Sequence, residues 1–113
     1  MQVRAIARNV PGSARKIRLI TERLPGLSVD QALALLRYAP SPHARVVSKV
    51  VLSAASNAEN NFNLDVDELV VSRAYTDEGR TTRRFKPRSR GRVSPILKRS
   101  SHVTVILDER GTR

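Results

Sequence analysis

The chain lacks cysteine and tryptophan and has only two tyrosines and two phenylalanines in 113 residues. Without cysteine it has no disulfide, no thiolate nucleophile and no cysteine-ligated zinc site. With so few aromatic rings, the core must be aliphatic, and stacking platforms for single-stranded bases are not expected. No run of about eighteen apolar residues occurs, so we predict no membrane partner. The first residues also lack the apolar stretch of a secretory signal, which makes the cytoplasm the expected compartment.

Positive charge is abundant, and most of the excess lies in one segment. The chain has 21 Lys and Arg against 10 Asp and Glu, a formal net charge of +11. Nine of these cations and no acidic residue lie between Arg80 and Arg99, so the other 93 residues carry 12 cations and 10 anions. Charge that served only solubility would be dispersed. The clustering therefore indicates a polyanionic partner, and we infer nucleic acid.

The first forty residues begin with a predicted strand and helix. Residues 3–10 alternate as a strand that places Arg4 and Arg8 on one face. Ser13 is expected to cap a helix over residues 14–24, whose buried stripe is formed by Ile17, Ile20 and Leu24. The cations of this helix point elsewhere, and we interpret them as phosphate contacts rather than as an ordinary solvated face. They are Arg15, Lys16, Arg18 and Arg23.

Two more helices are predicted before the basic segment. Ser28 and Gln31 have the spacing of a capping box, which predicts a helix that runs to about residue 38. The third and longest helix is expected after Ser41, with Pro42 at its first position. Its buried stripe is small and β-branched, and its polar residues 57–63 are expected to fray. The stripe consists of Val47, Val50, Val51, Ala54 and Ala58.

Two alternating segments flank the basic segment and predict a long β-hairpin. If residues 69–76 and 102–107 pair antiparallel, the chain between them continues as a ribbon of roughly 50 Å. Its turn falls near residues 88–92, where Gly91 can adopt a positive φ, and Pro95 is expected to break or bulge the returning arm. A two-stranded ribbon is marginally stable in water, so its outer part is expected to be mobile until a partner holds it.

These elements predict an α+β fold, with three helices packed on a small antiparallel sheet and a long extended basic β-hairpin. The length is that of a single domain, residues 1–113. We assign its globular core to residues 1–79 and 100–110 and the hairpin to residues 80–99.

The carboxylates next to the basic segment are not arranged for catalysis. Asp77 and Glu78 are neighbours on a predicted strand, so their side chains face opposite sides of the sheet. We expect them to mark the point where the hairpin leaves the core and to pair across the ribbon with Lys98 or Arg99.

His43 and His102 are the two histidines of the chain and its candidates for an acid–base pair. They fall in separate elements, and the sequence gives no reason to bring them together. No glycine-rich phosphate loop, nucleophile elbow or metal-ligand spacing is present. We therefore predict no catalytic residue, no metal and no cofactor, and a protein that is not an enzyme.

Two other functions stay open on these residues. An architectural DNA-binding protein could wrap a duplex with basic β arms that carry proline at the tip, and such a protein would dimerise to form a saddle. A small basic ribonuclease would depend on His43 or His102. A clean monomer in sedimentation would count against the first, and full activity after substitution of either histidine would count against the second.

Several motifs follow one another in a specific order. They are Asp77-Glu78-Gly79, Arg83-Arg84, Pro87-Arg88-Ser89-Arg90-Gly91-Arg92, and Leu97-Lys98-Arg99-Ser100-Ser101-His102-Val103-Thr104-Val105. This order closely resembles that of the bacterial large-subunit ribosomal proteins numbered twenty-two in the L series. The similarity extends back to residues 13–20 and 54–61 and covers essentially the whole chain.

The resemblance implies a structural constituent of the large ribosomal subunit that binds large-subunit ribosomal RNA. The globular part is then expected near the peptide exit, with neighbouring ribosomal proteins as partners and no homo-oligomer. The hairpin is expected to line the nascent-peptide tunnel and to meet the nascent peptide at its tip, Arg88, Ser89, Arg90, Gly91, Arg92 and Val93. The predicted RNA-binding residues are Arg4, Arg8, Arg15, Lys16, Arg18, Arg80, Arg83, Arg84, Lys86, Arg88, Arg90, Arg92, Lys98, Arg99 and His102.

Overall fold

A computed structural model of the chain describes residues 2–87, 91 and 93–109. It has three helices and a three-stranded antiparallel sheet, which confirms the predicted α+β class. The strands are β1 (Gln2–Pro11), β2 (Leu69–Pro87) and β3 (Val93–Glu109). The helices are α1 (Ala14–Thr21), α2 (Val29–Tyr38) and α3 (His43–Phe62), and a short 3₁₀ turn, Val66–Glu68, precedes β2.

The last strand, β3, lies in the middle of the sheet, between β1 and β2. Val103, Val105 and Leu107 alternate along it and are fully buried. The flanking strands place matching residues on the same face, since Val3 and Val71 both lie opposite Leu107. Because successive strand residues face opposite sides, one apolar face packs on the helices and the other stays open.

The first helix begins as predicted and ends earlier than predicted. Ser13 caps it, with the Lys16 amide donating to Ser13 Oγ at 3.4 Å. The predicted end at residue 24 is wrong, because the Arg23 and Leu24 amides donate to carbonyls three residues back and tighten the chain into a turn. Leu24 is nevertheless fully buried, so the predicted stripe packs as expected.

Helices α2 and α3 form the other half of the helical layer. The capping box of Ser28 and Gln31 is present with both hydrogen bonds. In α3, Pro42 is the residue before the first helical position, and the predicted fraying over residues 57–63 is wrong. Burial of the alanine-rich stripe holds the helix to Phe62, where Asn63 ends it in a left-handed conformation.

Strands β2 and β3 continue beyond the core as the predicted two-stranded ribbon. Their pairing runs from Thr81 opposite Arg99 to Pro87 opposite Val93. The ribbon makes the molecule long, with extents of 63 × 26 × 22 Å. Gly91 has the positive φ that was expected, +70°. Four predicted tip residues, Arg88, Ser89, Arg90 and Arg92, lie outside the described residues.

The irregularity of the ribbon is not at its proline. Pro95 lies opposite Phe85 in an unbroken register, so the predicted break there is wrong. A two-stranded ribbon tolerates proline because every second residue directs its amide to the free edge. The register instead shifts between Glu78 and Thr81, where the ribbon leaves the core.

This shift also corrects the expected carboxylate pairing. Asp77 lies opposite His102, and Glu78 lies opposite Ser101. Lys98 and Arg99 lie farther out, opposite threonines, because the bulge intervenes between them and the two carboxylates. In the described part of the chain, moreover, no helix is long and apolar enough to cross a membrane.

Candidate nucleic-acid interface

The ribbon carries cations on both of its faces. Arg83 and Arg99 lie on the ribbon face that continues the helix-covered face of the sheet. Arg99 alternates along β3 with the buried residues Ser101 and Val103, and Arg83 lies opposite Leu97 on the same face. Arg84 and Lys98 lie on the opposite face. All four side chains are exposed. A polyanion could therefore contact the ribbon from either side.

The root of the ribbon is fixed to the turn before α1. The Gly12 amide donates to the Arg99 carbonyl at 3.1 Å, and Ser101 Oγ donates to the Gly12 carbonyl at 2.9 Å. His43 also packs closely on Gly12. A Cβ atom placed on this glycine would lie only 2.6 Å from the imidazole Cε1. These contacts place the start of α1 beside the ribbon.

Helix α1 is then held against β2 by two polar contacts. Arg18 Nε donates to the Thr76 carbonyl at 2.9 Å, and the hydroxyls of Thr21 and Thr76 lie 3.1 Å apart in the buried interface. Arg18 was predicted as an RNA contact. The structure gives it a structural role as well, since part of its guanidinium is already committed to the fold.

Three cavities surround the root, and each is lined by cations. One, of about 480 Å³, lies between the start of α1 and the ribbon and brings Arg15 together with Arg83 and Arg99, beside Glu78. Another, of about 440 Å³, lies on the opposite face and is lined by Lys98 together with other cations. Those other cations are Arg80, Arg84 and Arg99.

The third cavity, of about 480 Å³, joins the helix to the ribbon through Lys16, Lys98 and Arg99. The structure thus brings together two groups of cations that are far apart in sequence. We call the combined set the ribbon-root cluster. It consists of Arg15, Lys16, Arg80, Arg83, Arg84, Lys98 and Arg99.

His102 is partly engaged within the fold. Its Nδ1 accepts a hydrogen bond from the Asn9 amide at 3.2 Å, and its ring is half-buried. Asn9 adopts a left-handed conformation, φ +57°, where the pairing of β1 with β3 shifts register. Of the two ring nitrogens, Nε2 is therefore the one left for the predicted RNA contact.

The remaining predicted cations have simpler positions. Arg4 and Arg8 are exposed on β1 and do not line the three root cavities. Lys86 lies on β2, opposite Ser94. The contact between Arg73 and Tyr75 was not predicted from the sequence. The Arg73 guanidinium lies 5.5 Å from the ring centroid of Tyr75 on the open face of the sheet. The alternation of residues 69–76 placed both on one face and was the signal that could have identified the pair.

The described residues do not assemble a catalytic or metal centre. No group of three or more His, Asp or Glu side chains in this part of the chain could hold a metal ion. His43 packs on Gly12, whereas His102 bonds to Asn9, so the two imidazoles have separate neighbours. The geometry offers anion binding by charge and shape, and no acid–base pair.

Fold and site together define a class of protein: a small aliphatic α+β core that extends a cationic β-ribbon. Residues 5–108 match the family described as ribosomal protein L22p/L17e. The chain is 50% identical over 110 residues to large ribosomal subunit protein uL22 of Clostridium novyi (strain NT), a match covering 97% of this chain and 99% of the relative. It is 51% identical over 107 residues to the protein of the same name from Dehalococcoides mccartyi (strain CBDB1), with 95% and 98% covered.

The chain therefore belongs to the L22p/L17e family of ribosomal proteins. This confirms the resemblance seen in its motifs. Membership of a ribosomal-protein family also makes it a structural component rather than an enzyme.

Proposed function

We propose that this protein is a constituent of the large ribosomal subunit that binds ribosomal RNA through its ribbon and ribbon-root cluster. The observation that carries the proposal is the exposure of cations on both ribbon faces, continuous with those of α1 at the root. Each phosphate that these side chains neutralise releases counterions, which favours binding. The similarity to large-subunit relatives supports large-subunit RNA as the polyanion.

An enclosing RNA explains how the ribbon can lack a core of its own. Phe85 and Leu97 are its large apolar side chains with described surroundings, and both are exposed. A ribbon in water gains little from such residues. Within folded RNA, phosphates pair with the cations, while ribose carbons and base faces cover Phe85 and Leu97. The proposed contacts are the fifteen residues predicted from the sequence, with Arg18 and His102 also serving the fold.

We further propose that the globular part lies near the peptide exit and that residues 88–93 meet the nascent peptide in the tunnel. The family resemblance supports this, and so does the length of the molecule, since a narrow ribbon can reach through RNA while the core stays outside. The protein then acts in the cytoplasm as one copy per subunit, in contact with neighbouring ribosomal proteins.

The RNA-binding proposal is tested by retention on large subunits after a high-salt wash. Arg83→Gln combined with Arg84→Gln removes one charge from each ribbon face. Lys49→Gln combined with Arg73→Gln removes two exposed charges outside the cluster and serves as the matched control. We expect the ribbon variant to be lost at a lower salt concentration than the control. Equal retention of the two variants would contradict the proposal.

The tunnel proposal needs a separate experiment. A photo-activated cross-linking residue at Ser89, in ribosomes paused during translation, should react with the nascent chain. The same residue at Ser53, exposed on α3, should not. Cross-links from Ser89 that reach only ribosomal RNA or other ribosomal proteins would refute the tunnel placement and leave RNA binding intact.

A further inference from the structure

A second type of surface lies between α2 and α3. It is a groove of about 660 Å³ whose floor is apolar. Leu36 and Ala44 form the buried floor, Leu33 is half-buried, and Leu52 is 50% exposed at the end of the groove. The α3 residues that line it recur every three or four positions, so they form one continuous stripe. Leu33 and Leu52 therefore leave apolar side-chain surface uncovered within the groove.

The groove also has a defined charge. Arg37 and Arg45 line it and are exposed, and none of its described lining residues is acidic. Tyr38 is 80% exposed next to Arg37, whose guanidinium lies 5.9 Å from the tyrosine ring centroid. Tyrosine and arginine are the side chains that most often carry the binding energy of protein interfaces. The groove thus combines an apolar slot with a site for one negative group.

We propose that this groove binds a segment of a neighbouring large-subunit protein that presents an apolar side chain close to a carboxylate. The apolar side chain fills the slot between Leu33 and Leu52. The carboxylate, from Asp, Glu or a chain terminus, lies between Arg37 and Arg45. This inference rests on the proposed place of the protein in the large subunit.

The chemistry of the groove favours protein over RNA. The cavities at the ribbon root combine three or four cations with hydroxyl groups and suit phosphates. The groove instead offers the uncovered apolar surface of Leu33, Ala39 and Leu52, which gains free energy when apolar atoms cover it. Ribose carbons and base faces can cover a protruding side chain such as Phe85, but inside a groove between two helices polar ribose and base edges placed against Leu33 and Leu52 would lack hydrogen-bond partners.

The test is cross-linking within purified large subunits that contain the full chain. A photo-activated residue, p-benzoylphenylalanine, replaces Leu52, and the cross-linked product is mapped by mass spectrometry. We expect a single segment of another large-subunit protein, with a carboxylate within about four residues of the cross-linked position. Cross-linking to RNA, to a segment without a carboxylate, or to nothing would overturn the proposal.

Two charge reversals test the carboxylate directly. In the Leu52 probe background, Arg45→Glu should lower the yield of that cross-link about fivefold or more. Lys49→Glu makes the same charge change one turn along α3, outside the groove, and should change the yield less than about twofold. Equal reductions of the cross-link yield by Arg45→Glu and Lys49→Glu would overturn the proposal that the partner presents a carboxylate. A probe at Ser53, exposed on α3 and outside the groove, should not capture the same segment.

The amount of each variant in salt-washed subunits separates the two proposals. If the chain is retained but the Leu52 probe captures no protein segment, the groove proposal fails and the ribosomal function stands. If the chain is not retained on the subunits at all, the proposed ribosomal function is refuted, and the groove proposal that rests on it fails as well.

Discussion

At the scale of single residues, Gly12 is the most constrained position in the root of the ribbon. It has a φ of +126°, hydrogen bonds to Arg99 and Ser101, and the His43 imidazole against its Cα. A side chain there would be strained by the backbone and would displace the imidazole. The position links the start of α1 to the ribbon, so its geometry determines how the two groups of cations meet.

We predict that Gly12→Ala lowers the free energy of unfolding by about 2 kcal/mol, because strain and a steric clash add. Gly26→Ala is the control, since Gly26 has a φ of +90° but no atom within 4 Å of its would-be Cβ, and it should cost about 1 kcal/mol. Urea unfolding measures both. Adding His43→Ala should recover part of the Gly12→Ala loss. If both glycine variants lose the same free energy of unfolding and His43→Ala restores none of it, the contact between Gly12 and the imidazole is unimportant for stability.

Arg18 and Arg15 lie on one helix but are predicted to do different work. Arg18→Gln should lower stability by about 1 kcal/mol, because the part-buried Thr76 carbonyl loses its charged donor. Arg15→Gln should change stability by less than about 0.5 kcal/mol and should weaken RNA binding, since its side chain is exposed in a root cavity. Urea unfolding and RNA titration separate the two effects. The same stability change for both variants would argue against the structural role of Arg18.

At the scale of elements, the ribbon is defined by which face each cation occupies. Its pairing places Thr81 opposite Arg99 and keeps that register unbroken to the end of β2. Because adjacent strand residues face opposite sides, Arg83 with Arg84 and Lys98 with Arg99 place charges of both arms on both faces. A ribbon with cations on one face would lie along an RNA surface, whereas this arrangement suits RNA on both sides.

We predict that neutralising either face weakens binding to a similar extent. Arg83→Gln with Arg99→Gln removes two charges from the helix-side face, and Arg84→Gln with Lys98→Gln removes two from the other. Each pair should reduce the slope of log K against log salt concentration by about 1.5, because each lost phosphate contact contributes about 0.7 to 0.9. Titrations of large-subunit RNA at several salt concentrations measure the slopes. If one pair has no effect, RNA contacts only one face.

At the scale of the whole molecule, the core and the ribbon should differ in stability. The core buries an aliphatic cluster contributed by all three helices and all three strands. The paired arms, residues 81–87 and 93–99, pair with each other and are joined to the globular part at their root, where the Gly12 amide donates to the Arg99 carbonyl. Their backbone hydrogen bonds are open to solvent, which lowers the free energy of local opening.

We therefore predict that amides of residues 81–87 and 93–99 in the free protein exchange much faster than those of β3 around Val105. Incorporation into large subunits should slow the ribbon amides and leave the core amides unchanged. Hydrogen exchange followed by mass spectrometry of peptides from the two regions measures this difference. Equal protection of ribbon and core in the free protein would contradict folding of the ribbon by its RNA.

The sequence by itself determined the elements and the character of the partner. Caps such as Ser28 with Gln31, and buried stripes such as that of α3, depend on contacts between residues within a few positions of one another. The density of cations between Arg80 and Arg99 is likewise a property of the chain, whatever its fold. These local features were correct to within a few residues. One exception was the end of α1, where the Arg23 and Leu24 amides bond three residues back and tighten the chain into a turn. The other was the fraying of α3, where burial of the apolar stripe overrode local propensity.

Only the tertiary structure decided how the distant pieces meet. Nothing in the sequence indicates that Arg15 joins Arg83 in one cavity or that the Asn9 amide bonds to His102. Nor does the sequence indicate that the bulge lies near Gly79 rather than at Pro95. Strand register and bulges result from cross-strand packing between residues far apart in the chain, and no local pattern encodes that balance. The charge of the ribbon and its presence on both faces thus followed from the sequence, because neighbouring strand residues face opposite sides, whereas the junction of the ribbon with α1 arises from the fold.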